Sequence, residues 1–263
     1  MMQATFSSSQ SRTGSLFDTN VLKESLRRLI MRICEDPNAP FDGLKRSPSC
    51  PTFVVALNSN AISSPPTIIR SYDTEEQRKP RVTICQAALA TSAAPVFFDP
   101  ITIEALSGTF VAGSLGYNNP AELALAEAST LMKSDSERLC LVSLGPGQSA
   151  PIKIPDVAPR APPKAGSSNL WLEFTSKFKD ACVALTTDTE AVHQRISART
   201  NAENENGLRY YRFNVERGME DVKFHQFEKR ELIESRTAVY LQDYAVRQNI
   251  RNSVKDILKA RGK

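Results

Sequence analysis

The chain is poor in the residues that build metal sites and charge relays. It has two histidines (His193 and His225) and one tryptophan among 263 residues. Its five cysteines (Cys34, Cys50, Cys85, Cys140 and Cys182) are far apart, odd in number and without metal-ligand spacing. That pattern argues against both a zinc site and a disulfide framework, so no metal or other cofactor is expected. Cys85 and Cys140 fall in apolar runs, where a free thiol behaves as a small hydrophobe, and a reducing, cytoplasmic setting is expected. No apolar run approaches the about 20 residues that span a bilayer. The opening Met1–Ser9 has no apolar core segment of the kind a signal peptide carries. The 33 basic and 29 acidic residues give a net charge of +4 and are scattered. A nucleic-acid binder would concentrate its basic residues in a stripe, so no nucleic-acid partner is expected. No stretch reads as a helix with the strongly basic face of a membrane-surface segment.

What is present is ordinary for a soluble globular chain, 41% apolar and 24% charged. Residues 1–15 are Ser-, Gln- and Thr-rich and are expected to be disordered. From Asp18, apolar residues recur at helical spacing (Leu22, Leu26, Leu29, Ile30, Ile33) until Pro37 and Pro40 stop the helix. Thr52–Leu57 is a continuous apolar run, as in a parallel strand buried on both faces. Thr67–Tyr72 reads as a second strand, and Ile84–Ala94 as an Ala-rich helix ended by Pro95. Thr109–Val111 is a short strand. After it, Asn119 is placed to cap a helix, with Pro120 in the first turn and Glu122 three residues on to answer the cap. Leu139–Leu144 is a further buried strand, closed by Gly145-Pro146-Gly147. This alternation predicts an α/β sheet with helices on both faces.

A Pro-rich linker or crossover is expected over 146–168. Beyond it the pattern turns mostly helical over 169–263. Leu170, Phe174, Phe178, Cys182 and Leu185 form one stripe, Ala191–Ala198 continues helical, and 228–259 is a charged amphipathic region. Arg209–Val215 alternates as a strand.

Two stretches could carry chemistry. Ala112-Gly113-Ser114-Leu115-Gly116 is one residue short of the G-x-S-x-G nucleophile elbow, in a strand–turn–helix context. Ser114 followed by Asp188 and His193, or by Asp221 and His225, would give the chain order of an α/β-hydrolase triad, a Ser114-based serine hydrolase. Against it, Tyr117-Asn118-Asn119 intervene before the helix, and His193 sits in a Gln/Arg-rich stretch where a solvated surface histidine is the plainer reading.

The second signal is longer. Ile84–Phe98, followed by Phe110–Pro120, resembles the C-terminal half of a patatin-like phospholipase domain. So do Phe53–Ala56, Ile69–Tyr72 and the strand end Val142–Gly145, giving coverage over about 16–150. Thr187–Arg195 and Tyr210–Val215 resemble the C-terminal extension of fungal members. The resemblance implies a three-layer α/β sheet and a lipid acyl hydrolase with a Ser–Asp dyad. The serine would lie in a G-x-S-x-G elbow beside a Gly-rich oxyanion loop, with the base in a D-G-G or D-G-A turn after a later strand. Such a dyad needs no histidine.

This chain departs from the pattern at each catalytic point. It holds no G-x-S-x-G and no Gly-rich oxyanion loop, and the base turn aligns with Ala112-Gly113-Ser114. An alanine methyl cannot accept a proton. Asp73 and Asp99 are near in sequence, but nothing in their spacing brings either to that turn. The expectation is a catalytically inactive, truncated relative, with apolar faces left exposed where the elbow strands would pack. A lipid-surface or protein-binding module is the alternative. The expected partners are a lipid or membrane surface, met peripherally, or a protein supplying the missing N-terminal half. In a split enzyme, such a partner would bring the elbow and another acid would replace Ala112.

Overall fold

The computed structural model describes residues 14–42, 50–132, 139–148, 169–202, 207–220, 222 and 226–260. The predicted disorder before residue 14 and most of the Pro-rich stretch, 149–168, lie outside them. The chain forms two compact units that divide between Asn118 and Asn119.

The first unit begins with α1 (Thr19–Cys34), capped by the Asp18 carboxylate, which accepts from Asn20 N. Its strands are β1 (Phe53–Asn58), β2 (Thr67–Arg70), β3 (Ile101–Ile103) and β4 (Gly108–Ala112), in the order β2-β1-β4-β3. All three pairings are antiparallel, which corrects the expectation of a parallel β1. The apolar run did report burial on both faces. Ala56 belongs to the core cluster, while Val55 and Leu57 are buried on the other face. Two-sided burial is common in parallel sheets, but it does not itself set strand direction.

Helix α2 (Ile84–Ser92) covers the first of these faces, its Ala87 and Ala90 packing with Ala56, Ile69, Ile103 and Phe110. Cys85 and Leu89 face α1 at Ile30. Small residues on α2 let helix and sheet approach closely. Its start carries a signal that sequence reading missed, the capping box Thr83-x-x-Gln86, in which both reciprocal bonds form. Thr83→Ala is expected to lower stability by about 1 kcal/mol, read from the denaturant midpoint at unchanged m-value.

The second unit holds α4 (Ala121–Leu131), β5 (Leu139–Leu144), α5 (Asn169–Thr186), α6 (Glu190–Ala202), β6 (Leu208–Phe213), α7 (Arg230–Gln242) and α8 (Tyr244–Ala260). A one-turn α3 (Ser114–Tyr117) closes the first unit before it. Strands β5 and β6 pair in parallel, Leu139 opposite Leu208 through Leu144 opposite Phe213. Because side chains alternate across a strand, Ser143, Tyr210 and Arg212 meet α4 and α6 on one face, and Arg209 and Tyr211 meet α8 on the other. Helices therefore flank this short sheet on both sides, and β5 pairs with a strand of the helical C-terminal part.

Four local expectations fail here. Glu122 closes no capping box. It makes a bidentate bond to Arg195 of α6, which holds its carboxyl below the usual range. Only Ser143 of β5 is buried, and Leu144 is 76% exposed, because a two-stranded sheet has few neighbours to cover it. Among the described side chains of α5 the buried one is Ala181, whereas Phe178, Cys182 and Leu185 of the predicted stripe are exposed. The side chain of Leu170 is not among those described. Helical periodicity marks a face; it does not guarantee something to cover it. Finally, α8 does carry a basic face. At about 100° per residue, Arg247, Arg251 and Lys255 fall in one arc, and all three are exposed.

Candidate active-site turn and a buried polar cluster

Strand β4 delivers Ala112 into the interior, 2% exposed. Ala112 lies opposite Ala56 of β1, and directly opposed residues share a face, here the one packed by α2. Its amide donates to Ala93 O at the end of α2, 2.9 Å away. Gly113 follows where no side chain fits: a Cβ would lie 2.8 Å from Val55 O and 2.9 Å from Val55 Cγ1. The same Val55 carbonyl accepts from Thr91 Oγ1 at 2.8 Å. Ser114 opens α3, whose turn closes through Tyr117 N to Gly113 O, with Gly116 at φ 101°. The glycines thus have distinct causes: a backbone approach at Gly113 and a left-handed conformation at Gly116.

The nearby carboxylates are engaged elsewhere. Asp99 accepts from Ser15 Oγ and Thr19 Oγ1 and so ties down the start of α1. Asp73 accepts from Lys79 N within its own loop.

The residues of the serine–histidine reading fall as follows. Ser114 lies in the first unit; Asp188 and His193 lie in the second. Asp188 caps α6, accepting from Glu190 N and Ala191 N. His193 Nδ1 lies 3.2 Å from Tyr210 Oη and 3.3 Å from Ser197 Oγ. Asp221 and His225 are outside the described residues.

Within the second unit, the C-terminal ends of β5 and β6 bring together a buried polar cluster that sequence reading missed. Arg212, with its side chain 5% exposed, donates through Nη1 to Ser143 Oγ (2.8 Å) and through Nη2 to Glu190 Oε1 (2.9 Å). Glu190 Oε1 also accepts from Asn214 Nδ2 and Thr189 Oγ1. Asn119 Nδ2 donates to Thr189 O, and its Oδ1 accepts from Ala121 N and Ser143 Oγ. The expected cap residue therefore does accept from the start of α4, but it is also a buried link to α6. Burial pushes the Tyr210 phenol up, against the lowering effect of a hydrogen bond with Ser143. On the α8 face, burial and the bond to Asp256 push Tyr211 up to about 12. Among the described residues, Arg212 Nε is the one buried side-chain nitrogen or oxygen without a hydrogen-bond partner. No group of three or more His, Cys, Asp or Glu able to hold a metal ion occurs among the described residues. Nor is any described helix long and apolar enough to cross a membrane.

Comparison with known proteins bears on the turn. Residues 4–125 match the family described as patatin-like phospholipase, a segment that takes in β1 to β4, α1, α2 and the Ala112 turn. Over that segment, just under half of its length, this chain is similar to the patatin-like phospholipases. A Vibrio cholerae protein named cGAMP-activated phospholipase is 29% identical over 122 residues, which make up 46% of this chain and 32% of that protein. The chain thus spans about a third of the length of that curated relative. The patatin-like match starts ahead of the expected residue 16 and stops at 125. It leaves the strand end Val142–Gly145, Thr187–Arg195 and Tyr210–Val215 outside.

Proposed function

We propose that this chain is a non-catalytic relative of the patatin-like lipid acyl hydrolases, with Ala112-Gly113-Ser114 standing at the family's base turn. The observation that carries the reading is the methyl group at Ala112, at the end of β4 where the resemblance calls for a carboxylate. Without a base at that position a serine hydroxyl is not activated, and these residues hold no G-x-S-x-G to supply the nucleophile. At the turn, Ser114 and Gly116 match an elbow-like sequence, but Ala112 stands where its first glycine would be. Ser114 opens a single helical turn with non-helical backbone at Leu115 and Gly116.

The test is direct. The purified chain is expected to release no fatty acid from acyl esters or lysophospholipids above a no-protein control, and Ala112→Asp alone is expected to leave it inactive. Turnover that Ser114→Ala abolishes would overturn this and support the Ser114-based hydrolase.

A second reading is a lipid-surface module that keeps the fold without the chemistry. It is favoured by α8, whose basic face also exposes Tyr244, Val254 and Leu258.

A further inference from the structure

The exposed side of α8 gathers basic and apolar side chains in one arc. Projected at about 100° per residue, Tyr244, Arg247, Arg251, Val254, Lys255 and Leu258 fall within about 100° of circumference. All six are exposed, Tyr244 at 70%, and no Asp or Glu falls among them. Val246, Ile250, Ser253 and Ile257 occupy the other side, where α8 meets β5 and β6. The acids of this helix region lie off the arc and are engaged. Asp243 caps the helix through Ala245 N and Val246 N, and Asp256 on the flank binds Tyr211 and pairs with Arg209 and Lys259. Among the described residues no carboxylate pairs with Arg247, Arg251 or Lys255.

We propose that this face of α8 is a docking surface for an anionic lipid bilayer. The inference rests on the lipid-surface reading and locates it outside the segment that matches the family. Cationic side chains meet the negative surface potential of a leaflet, each contributing about 1 kcal/mol near the surface. The interleaved Val254, Leu258 and Tyr244 supply what a purely electrostatic surface lacks, apolar and aromatic groups that enter the headgroup boundary. That mixture favours a bilayer over a nucleic acid, whose phosphates would be met by the basic residues with no use for exposed leucine and valine.

The experiment is co-sedimentation of the full chain with phosphatidylcholine vesicles, with and without about one-third phosphatidylserine. Binding is expected only to the anionic vesicles. The triple variant R247Q/R251Q/K255Q is expected to bind about a hundredfold more weakly, three charges at about 1 kcal/mol each. V254S/L258S is expected to bind more weakly as well, and to lose the fraction that survives raising salt from about 0.1 to about 0.5 M. Circular dichroism of both variants checks that α8 is intact, as it should be because every substituted position is exposed. K23Q/R28Q on α1 is the control and should bind like the parent chain. Equal binding of parent and triple variant, no anionic preference, or tighter binding to duplex nucleic acid than to vesicles would overturn the proposal. None of these outcomes bears on the hydrolase assay, so the two readings fail separately.

Discussion

Arg212→Met is expected to cost the second unit about 3 kcal/mol, the low end of what removing one partner of a buried ion pair costs. The low end applies because Glu190 is 28% exposed at its side chain and water can reach part of the charge left behind. Glu190 would keep Asn214 and Thr189 as donors, but Ser143 would lose the bond from Nη1. Met matches the length of the Arg stem, so lost packing should be small and the loss should report the polar network. Glu190→Gln should cost less than Arg212→Met. The amide oxygen can still accept from Arg212, although the neutral acceptor removes the charge assistance. The measurement is chemical denaturation of both variants at pH 7. Arg212→Met as stable as the parent would mean that the orphaned Nε already offsets the value of the pair, so that an apolar replacement is neutral.

How far the sequence could be read depended on the kind of signal. Elements with a strong local period or cap, such as α1 after Asp18 and the run at Phe53–Leu57, are where the spacing places them. What the spacing could not supply was partnership. The apolar run of β1 is compatible with either strand direction, and the antiparallel pairing to β4 was settled by tertiary topology. The stripe on α5 is real as a pattern, yet Phe178 and Leu185 remain exposed because periodicity says nothing of what lies opposite. Glu122 fits a capping box by its spacing, but Arg195, 73 residues away, offers a bidentate partner. A fixed guanidinium fork outcompetes a single backbone bond.

The polar cluster shows the same division. Arg212 and Tyr210 sit in a strand that was legible, but their partners Glu190 and His193 come from the preceding helix. No single stretch contains the site. At the candidate turn, by contrast, the informative residues are contiguous, so Ala112-Gly113-Ser114 is legible in the sequence alone. Gly113 then acquired a physical reason, the Val55 carbonyl beside it, that no sequence motif contains.

Placing at residue 112 the acid that the resemblance calls for is the sharpest probe of that turn. Ala112→Asp is expected to destabilise the first unit by roughly 2–4 kcal/mol at pH 7, because it buries a carboxylate without a charged partner. The site opposes the charge in two ways. Ala112 shares a face with Ala56 in an apolar core packed by Ala87 and Ala90, so desolvation favours the protonated acid. Its own amide is bound to Ala93 O at the C-terminal end of α2, where the helix dipole presents its negative pole. The sign of the pH dependence follows. Burial raises the folded-state pKa of the new carboxyl above its unfolded value of about 3.9, so the folded state binds the proton more tightly. The variant's deficit should be smallest below that value and should grow as pH rises through the folded-state pKa. Denaturant midpoints of variant and parent at acid and neutral pH test it. If instead the variant matches the parent at pH 7 and loses stability only on acidification, donors must already converge on residue 112. A cradle for the family's base would then have outlasted the base itself.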